Sequence, residues 1–384
     1  MIMKRINNIL VITPNYPIDG DPGYAFVKNL VDEFARLGKT ITVFSPQSSL
    51  GLFLHRKQKR PFVRYDNING NIVTIYQPYI FAFPFRYIRL FNYSMRRFTT
   101  RFLIKNRIEA DVCYCHFYRS AYYALPYVKE NNIPLFVATG EGALQNWKGL
   151  LSRPSYMEIN KYLNGAISVS SNNKAISEEI GIIKGKNCIV APNGINEEQY
   201  YPKERNELRQ LYGFRNDDFI VAFVGLFTDR KGSKRLSEAL DKIDNVKSFF
   251  IGYSVGDKKY EPDCNDILFK GKLPHDKVPD YLNMADVFVL PTLNEGCCNA
   301  IVEALACGLP VISSNMPFNY DVLNETNSIL ISPSNIDEIA SAIKKLKNNN
   351  ALRKNLSDGA LITAKKLTIS HRAMRILEFM EKNI

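Results

Sequence analysis

Apolar residues in this chain gather in short unbroken blocks, at 9–12, 220–224 and 287–290. Between blocks they recur every three or four positions, as at 336–346. Unbroken blocks of this length suit strands buried on both faces, and the three-to-four spacing suits helices with one apolar stripe. The pattern predicts strands at 9–13, 41–45, 72–76, 111–115, 134–138, 165–170 and 188–191 in the first half of the chain. In the second half it predicts strands at 219–225, 247–251, 267–270, 287–290, 311–314 and 329–331. Helices are predicted at 24–37, 172–180, 233–243, 278–284, 299–307, 336–347, 351–366 and 370–382, and 48–69 reads as a polar connection. Strands alternating with helices point to α/β architecture with parallel sheets. A chain of 384 residues suits two such domains, each doubly wound and Rossmann-like, facing each other across a cleft. The boundaries fall at 1–195, a polar linker at 196–206, a second domain at 207–366, and a last helix at 367–384 that returns to the first domain.

The segment 287–314 is the most informative. It reads as a strand stopped by Pro291, a loop, a helix from Asn299 ended by Gly308, and a second strand opened by Pro310. Seven residues separate Glu295 in the loop from Glu303 in the helix. The helix start, around Gly296, Cys297, Cys298, Asn299 and Ala300, would offer unpaired N–H groups to an anion. A diphosphate held there would bring a ribose and a sugar within reach of both carboxylates, which is the outline of a site for a nucleotide-activated sugar. At the earlier turn after the strand ending in Gly225, Arg230 and Lys231 precede Gly232 and a helix, and two adjacent cations suit a pyrophosphate.

With Pro291, Thr292, Glu295, Gly296, Glu303, Ala304, Gly308 and Pro310 in place, this segment resembles the E-x7-E signature of the retaining glycosyltransferases of family 4. That resemblance implies the two-domain GT-B architecture and transfer of a sugar from a nucleoside diphosphate sugar, with retained configuration and no metal or cofactor; the donor's base is left open between UDP-hexoses and GDP-mannose, with a UDP-sugar as the expectation. It assigns the ribose hydroxyls to Glu303, the transferred sugar to Glu295, and the departing diphosphate to Arg230 and Lys231. Pro192-Asn193-Gly194-Ile195 is similar to the turn joining the family's domains. Leu226 stands where many relatives have an arginine.

In the first half, Gly20 and Gly23 lie between the first strand and first helix. A backbone can approach a ligand closely there, and the family faces such a loop towards acceptor and donor. Asp19-Gly20-Asp21 has the spacing of a metal-binding D-x-D but reads as turn chemistry. Asp111, Val112 and His116 match the family's pattern for a histidine beside the transferred sugar, and His116 ends a predicted parallel strand. Glu141 replaces the family's histidine element and reads as an acceptor-side carboxylate or a helix cap.

Charge adds one feature. Fifty Lys and Arg against 38 Asp and Glu give +12, which favours a polyanionic partner. The cations concentrate at 79–107, where Arg86, Arg89, Arg96, Arg97 and Arg101 mix with Phe81, Phe83, Tyr87, Tyr93, Phe98 and Phe102 and no acid intervenes. Such a segment suits peripheral contact with an anionic membrane and a lipid-linked glycan acceptor, or a helix with its aromatics on the sheet. No apolar run is long enough to span a bilayer and no signal peptide precedes the first strand, so the expected location is cytoplasmic, peripheral on the inner membrane face. The seven cysteines form no C-x-x-C pair, and reduced thiols are expected. Neither a P-loop nor a G-x-G-x-x-G fingerprint occurs, and the cleft residues do not suit nucleic acid. A non-catalytic nucleotide-sugar scaffold and a nucleotide-sugar epimerase are the rival readings.

Overall fold

The computed structural model describes residues 5–18, 23–49, 60–81, 83, 87–140, 150–256 and 258–384. It divides into two compact units, 1–191 with 369–384, and 192–368.

The first unit begins with β1 (Asn8–Ile12), α1 (Ala25–Arg36), β2 (Thr40–Phe44), β3 (Gln47–Ser48), β4 (Val63–Ile68), β5 (Asn71–Tyr76), β6 (Tyr79–Ile80) and α2 (Ile88–Lys105). It continues with β7 (Val112–His116), α3 (Tyr118–Glu130), β8 (Leu135–Thr139), α4 (Arg153–Tyr162), β9 (Leu163–Ser168), α5 (Ser171–Glu179) and β10 (Asn187–Val190). Its main sheet has the order β10-β9-β8-β7-β1-β2-β5-β4. Alternate residues of β1 serve opposite cores: Ile9 and Val11 pack with α1, Leu10 and Ile12 with Phe102, Ala121 and Leu125. That two-sided burial is why the strand has no polar alternation. β4 corrects the expected polar connection at 48–69. It pairs antiparallel with β5 at the sheet edge, and its half-buried or exposed residues leave no apolar block to read.

The second unit contains α6 (Arg205–Tyr212), β11 (Ile220–Val224), α7 (Ser233–Leu240), β12 (Lys247–Ile251), β13 (Ile267–Gly271), α8 (Val278–Met284) and β14 (Val287–Leu290). Then come α9 (Asn299–Ala306), β15 (Val311–Ser314), β16 (Ser328–Ile331), α10 (Ile336–Asn348) and α11 (Asn350–Ala364). Its strands run parallel in the order β13-β12-β11-β14-β15-β16. The run 196–206 belongs to this unit: Tyr200 is buried, Lys203 pairs with Asp280 at 2.7 Å, and Arg205 pairs with Asp286 at 2.6 Å.

The last helix, α12 (Ile369–Glu381), belongs to the first unit. Ser370 Oγ donates to Glu33 on α1 at 2.8 Å, Arg372 Nε donates to the Ala191 carbonyl, and the Phe379 ring sits 6.0 Å from Phe136. Gly165 on β9 makes room for that ring, since a Cβ there would lie 2.8 Å from it. Among the described residues no helix is long and apolar enough to cross a membrane.

Candidate active site

In the second sheet β11 and β14 are neighbours, with β12 on one side and β15 on the other. Connections leave these two strands in opposite directions, and such a reversal opens a crevice at the carboxyl ends of a parallel sheet. Glycines bring the strand ends close. A Cβ on Gly252 would lie 1.8 Å from the Gly225 carbonyl oxygen, and one on Gly232 2.4 Å from the Pro291 oxygen. Gly232 also has φ +78°, a left-handed conformation that suits glycine.

Hydrogen bonds then stitch the two loops together. The Leu293 N–H donates to the Arg230 carbonyl at 2.8 Å, and Arg230 Nη1 donates to the Asn294 carbonyl at 2.8 Å. Arg230 Nη1 lies 2.7 Å and Lys231 Nζ 2.6 Å from the same oxygen of Glu295, with the Thr292 hydroxyl 3.0 Å from it. Lys231 is largely withdrawn from solvent, with 13 % of its side chain exposed, whereas Arg230 is 48 % exposed. Two cations on one carboxylate leave a net positive charge, and the buried member acts through the lower local dielectric.

Burial pulls the Lys231 ammonium towards its neutral form, but Cys298 and Glu295 beside it outweigh that and its pKa is raised. Burial also raises the Cys298 thiol, and the Glu295 carboxylate lies 2.6 Å from the Lys231 ammonium. Glu303, on the first turns of α9, is pushed up to about 7 by burial, with the Tyr200 hydrogen bond and the Lys231 charge pulling the other way. Lys231 therefore couples electrostatically to both carboxylates.

At the start of α9, Asn193 Nδ2 donates to Asn299 Oδ1 at 2.6 Å and to the Cys297 carbonyl at 3.1 Å. The Ile301 and Val302 amides donate to the Cys298 carbonyl at 3.1 and 3.3 Å. Gly296 is buried between Glu295 and this helix start. Asn193 and Thr292 stand in motifs that the sequence marks without giving them a site role, and Tyr200 is a site residue that the sequence did not single out.

His116 and Gly23 belong to the first unit. His116 is the last residue of β7, ringed by Tyr24, Phe26, Tyr114 and Phe117, and its Nδ1 is buried with no hydrogen-bond partner among the described residues. Burial, then the Arg372 charge, lowers its pKa to about 3, so the ring is neutral at physiological pH. The Gly23 carbonyl accepts from Asn15 Nδ2 at 3.3 Å, just before Tyr24 opens α1 in a left-handed conformation. Gly20, with Asp19 and Asp21, and Glu141 lie outside the described residues.

Residues 204–361, which hold all of this second-unit cluster from Arg230 to Glu303, match the family described as Glycosyl transferases group 1. This chain carries a group 1 glycosyltransferase domain. The enzyme is 27 % identical over 360 residues to TuaC of Bacillus subtilis, which carries the name of a teichuronic acid biosynthesis glycosyltransferase; the match covers 91 % of this chain and 92 % of that one. It is 31 % identical over 177 residues to the UDP-Gal:alpha-D-GlcNAc-diphosphoundecaprenol alpha-1,3-galactosyltransferase of Escherichia coli, covering 42 % of this chain and 46 % of that one. In fold it is similar to Anabaena HepE in complex with UDP-glucose, with a TM-score of 0.72, 16 % identity, and 98 % and 100 % of the two chains covered. The fold class of this glycosyltransferase is GT-B, with two Rossmann-like halves built on parallel sheets.

Helix α2 of the glycosyltransferase divides the basic aromatic segment in two. Phe102 is buried, with Phe98 packed against it, and Arg96 is tied to Glu158 by paired bonds of 2.9 Å and lies over the Tyr122 ring. On the outer face Arg89, Leu90, Tyr93, Arg97, Arg101 and Ile104 are exposed, as are Phe81, Phe83 and Tyr87 before the helix. Phe85 and Arg86 lie outside the described residues.

Proposed function

We propose that this enzyme is a retaining, metal-independent hexosyltransferase. It moves a sugar from a UDP-sugar to a hydroxyl of a lipid-linked glycan in the synthesis of a cell-surface polysaccharide. The observation that carries the donor half is the cluster of Arg230, Lys231 and Glu295 at the reversal point of the second sheet. The names of TuaC and of the E. coli galactosyltransferase, whose acceptor is a diphosphoundecaprenol, support the acceptor class. The UDP-glucose bound to HepE supports the donor class.

In this reading the diphosphate lies against Arg230, Lys231 and the start of α9, Glu303 accepts hydrogen bonds from the ribose, and Glu295 from the transferred sugar. As the glycosidic bond to phosphate breaks, charge grows on the leaving diphosphate. Fixed cations aimed at that position favour the transition state over the ground state. The acceptor hydroxyl attacks from the face the phosphate leaves, and its proton passes to the leaving phosphate oxygen. No side-chain base is then required. Positioning supplies much of the rate.

The reaction is tested by incubating the enzyme with UDP-glucose, UDP-galactose or UDP-N-acetylglucosamine, with and without a bacterial lipid extract. Sugar incorporated into lipid only when the extract is present, with its anomeric configuration retained, supports the proposal. A new sugar nucleotide formed without acceptor would replace it by an epimerase, and no turnover with any donor would favour a scaffold.

The outer face of α2 is assigned to the anionic inner surface of the membrane, where arginines meet headgroups and aromatic rings enter the interface. Changing Arg89, Arg97 and Arg101 to Ala is expected to weaken co-sedimentation with phosphatidylglycerol-containing vesicles by about a hundredfold, at about 1 kcal/mol per cation. Binding unchanged in this variant would remove the membrane from the account.

A further inference from the structure

We propose that Arg235 is a positioning residue of the donor site. Its guanidinium ties the loop bearing Arg230 and Lys231 to the loop bearing Glu295, and so holds both cations where charge develops on the leaving diphosphate. The assignment rests on the donor reading above, and every residue in it belongs to the second unit.

Arg235 stands in the first turn of α7, just past Gly232. The unpaired N–H groups of a helix start disfavour a cation, so a guanidinium there needs compensating acceptors. Arg235 Nη1 donates to the Asp229 carboxylate at 2.7 Å, while Nη2 donates to the Asp229 carbonyl at 2.9 Å and the Pro291 carbonyl at 3.0 Å. Nε donates to the Pro333 carbonyl at 2.8 Å. Asp229 lies in the loop after β11, Pro291 in the loop after β14, and Pro333 after β16. One planar group thus joins the connections that leave the carboxyl ends of these strands.

Gly232 makes the reach possible. A Cβ there would lie 2.9 Å from Arg235 Nη2 and 2.4 Å from the Pro291 oxygen, so the glycine keeps open the space the guanidinium crosses. Only 14 % of the Arg235 side chain is exposed, and its bonds are correspondingly withdrawn from competing water. The Asp229 carbonyl also accepts from the Gly232 N–H at 3.1 Å. The following carbonyl, that of Arg230, accepts from the Leu293 N–H at 2.8 Å and the Thr292 hydroxyl at 3.0 Å. Arg230 is therefore held on both sides, by Arg235 through Asp229 and by the Glu295 loop directly. Lys231 comes next, with its ammonium on Glu295. A lysine at 235 would keep the charge but not the planar fork that meets several fixed acceptors at once.

The experiment compares wild type, Arg235→Met, Lys231→Met and the double variant. Transfer from UDP-glucose, UDP-galactose or UDP-N-acetylglucosamine into a bacterial lipid extract is measured, and hydrogen exchange of the Gly232 and Leu293 amides is followed by NMR. Arg235→Met is expected to lower turnover at saturating donor about thirtyfold and to change KM less than about threefold, because misplaced groups cost most in the transition state. In the Lys231→Met background the same change should cost only about threefold, since it acts through a cation already removed. Exchange of both amides should quicken about tenfold or more as their acceptor carbonyls lose an anchor. Arg235→Lys, which serves if Arg235→Met does not fold, should give the same results in smaller measure.

Effects that simply multiply in the double variant, a loss confined to KM, or unmoved amides would overturn the role and leave Arg235 a contributor to stability alone. If the wild type neither binds UDP nor turns over any donor, the donor reading falls, while amide exchange still decides whether Arg235 ties the two loops.

Discussion

Replacing Lys231 with methionine is expected to lower kcat for sugar transfer by about 10²–10³-fold, the loss typical of removing one preorganised group facing a developing charge. Lys231 is the cation for which this magnitude is reasonable. Its ammonium is largely withdrawn from water, 2.6 Å from Glu295, and its charge also reaches Glu303. Methionine keeps the apolar stem and removes the charge, so packing against Gly225 survives. Arg230 shares the same Glu295 oxygen but is 48 % exposed, and solvent screens it. Arg230→Met should therefore cost only about tenfold. Steady-state kinetics with saturating donor separates the two, because a charge used mainly in the transition state lowers kcat more than it raises KM. Equal effects of the two substitutions would mean that burial does not set their contributions.

The second large effect is structural. Gly252→Ala is expected to destabilise the second unit by about 3 kcal/mol or more, the range associated with forced overpacking of backbone. The added methyl would stand 1.8 Å from the Gly225 carbonyl, a rigid neighbour that no rotamer change can clear. Either β11 and β12 part at their carboxyl ends or the unit unfolds, and both outcomes displace the loop carrying Arg230 and Lys231. Gly256→Ala is the control. It has φ +84° but nothing within 4 Å of the new methyl, so only the backbone strain of about 1–2 kcal/mol remains. Urea unfolding of the full chain, followed by circular dichroism, should show the transition shifted far more by Gly252→Ala than by Gly256→Ala. A similar shift in both would show that the close approach of the two strand ends is not a constraint.

What the sequence disclosed follows from where side chains are buried on two sides. β14 appears at the predicted residues because it is a continuous apolar run closed by Pro291, and β15 because Pro310 opens a short run in which Val311 and Ile312 are fully buried. The fold class follows from their alternation with helices. Elements that bury little, or that break a local rule, stayed hidden. β4 pairs through its backbone at an edge, and α3 carries Pro126 in its interior amid many tyrosines. The basic aromatic segment combines both readings of its composition, with Phe102 buried and Arg97 outside.

At the candidate site, Arg230, Lys231 and Glu295 meet because their loops follow adjacent strands, a relation the order of βα units makes legible. Asn193 and Tyr200 were not legible as site residues. They sit in a polar turn without periodicity, and their partners are far along the chain, as for Asn193 and Asn299, 106 residues apart. Only the folded chain brings such pairs together.

The measurement that tests the central claim most directly is titration calorimetry of the intact protein with UDP, with GDP as the comparison, repeated with Glu303→Ala. Micromolar UDP binding that falls by about thirtyfold or more in the variant is the predicted result, since losing hydrogen bonds to a charged group costs about 2 kcal/mol. Equal binding by the variant, or no binding of either nucleotide by the wild type, would contradict a nucleotide-sugar site at Glu303 and Lys231.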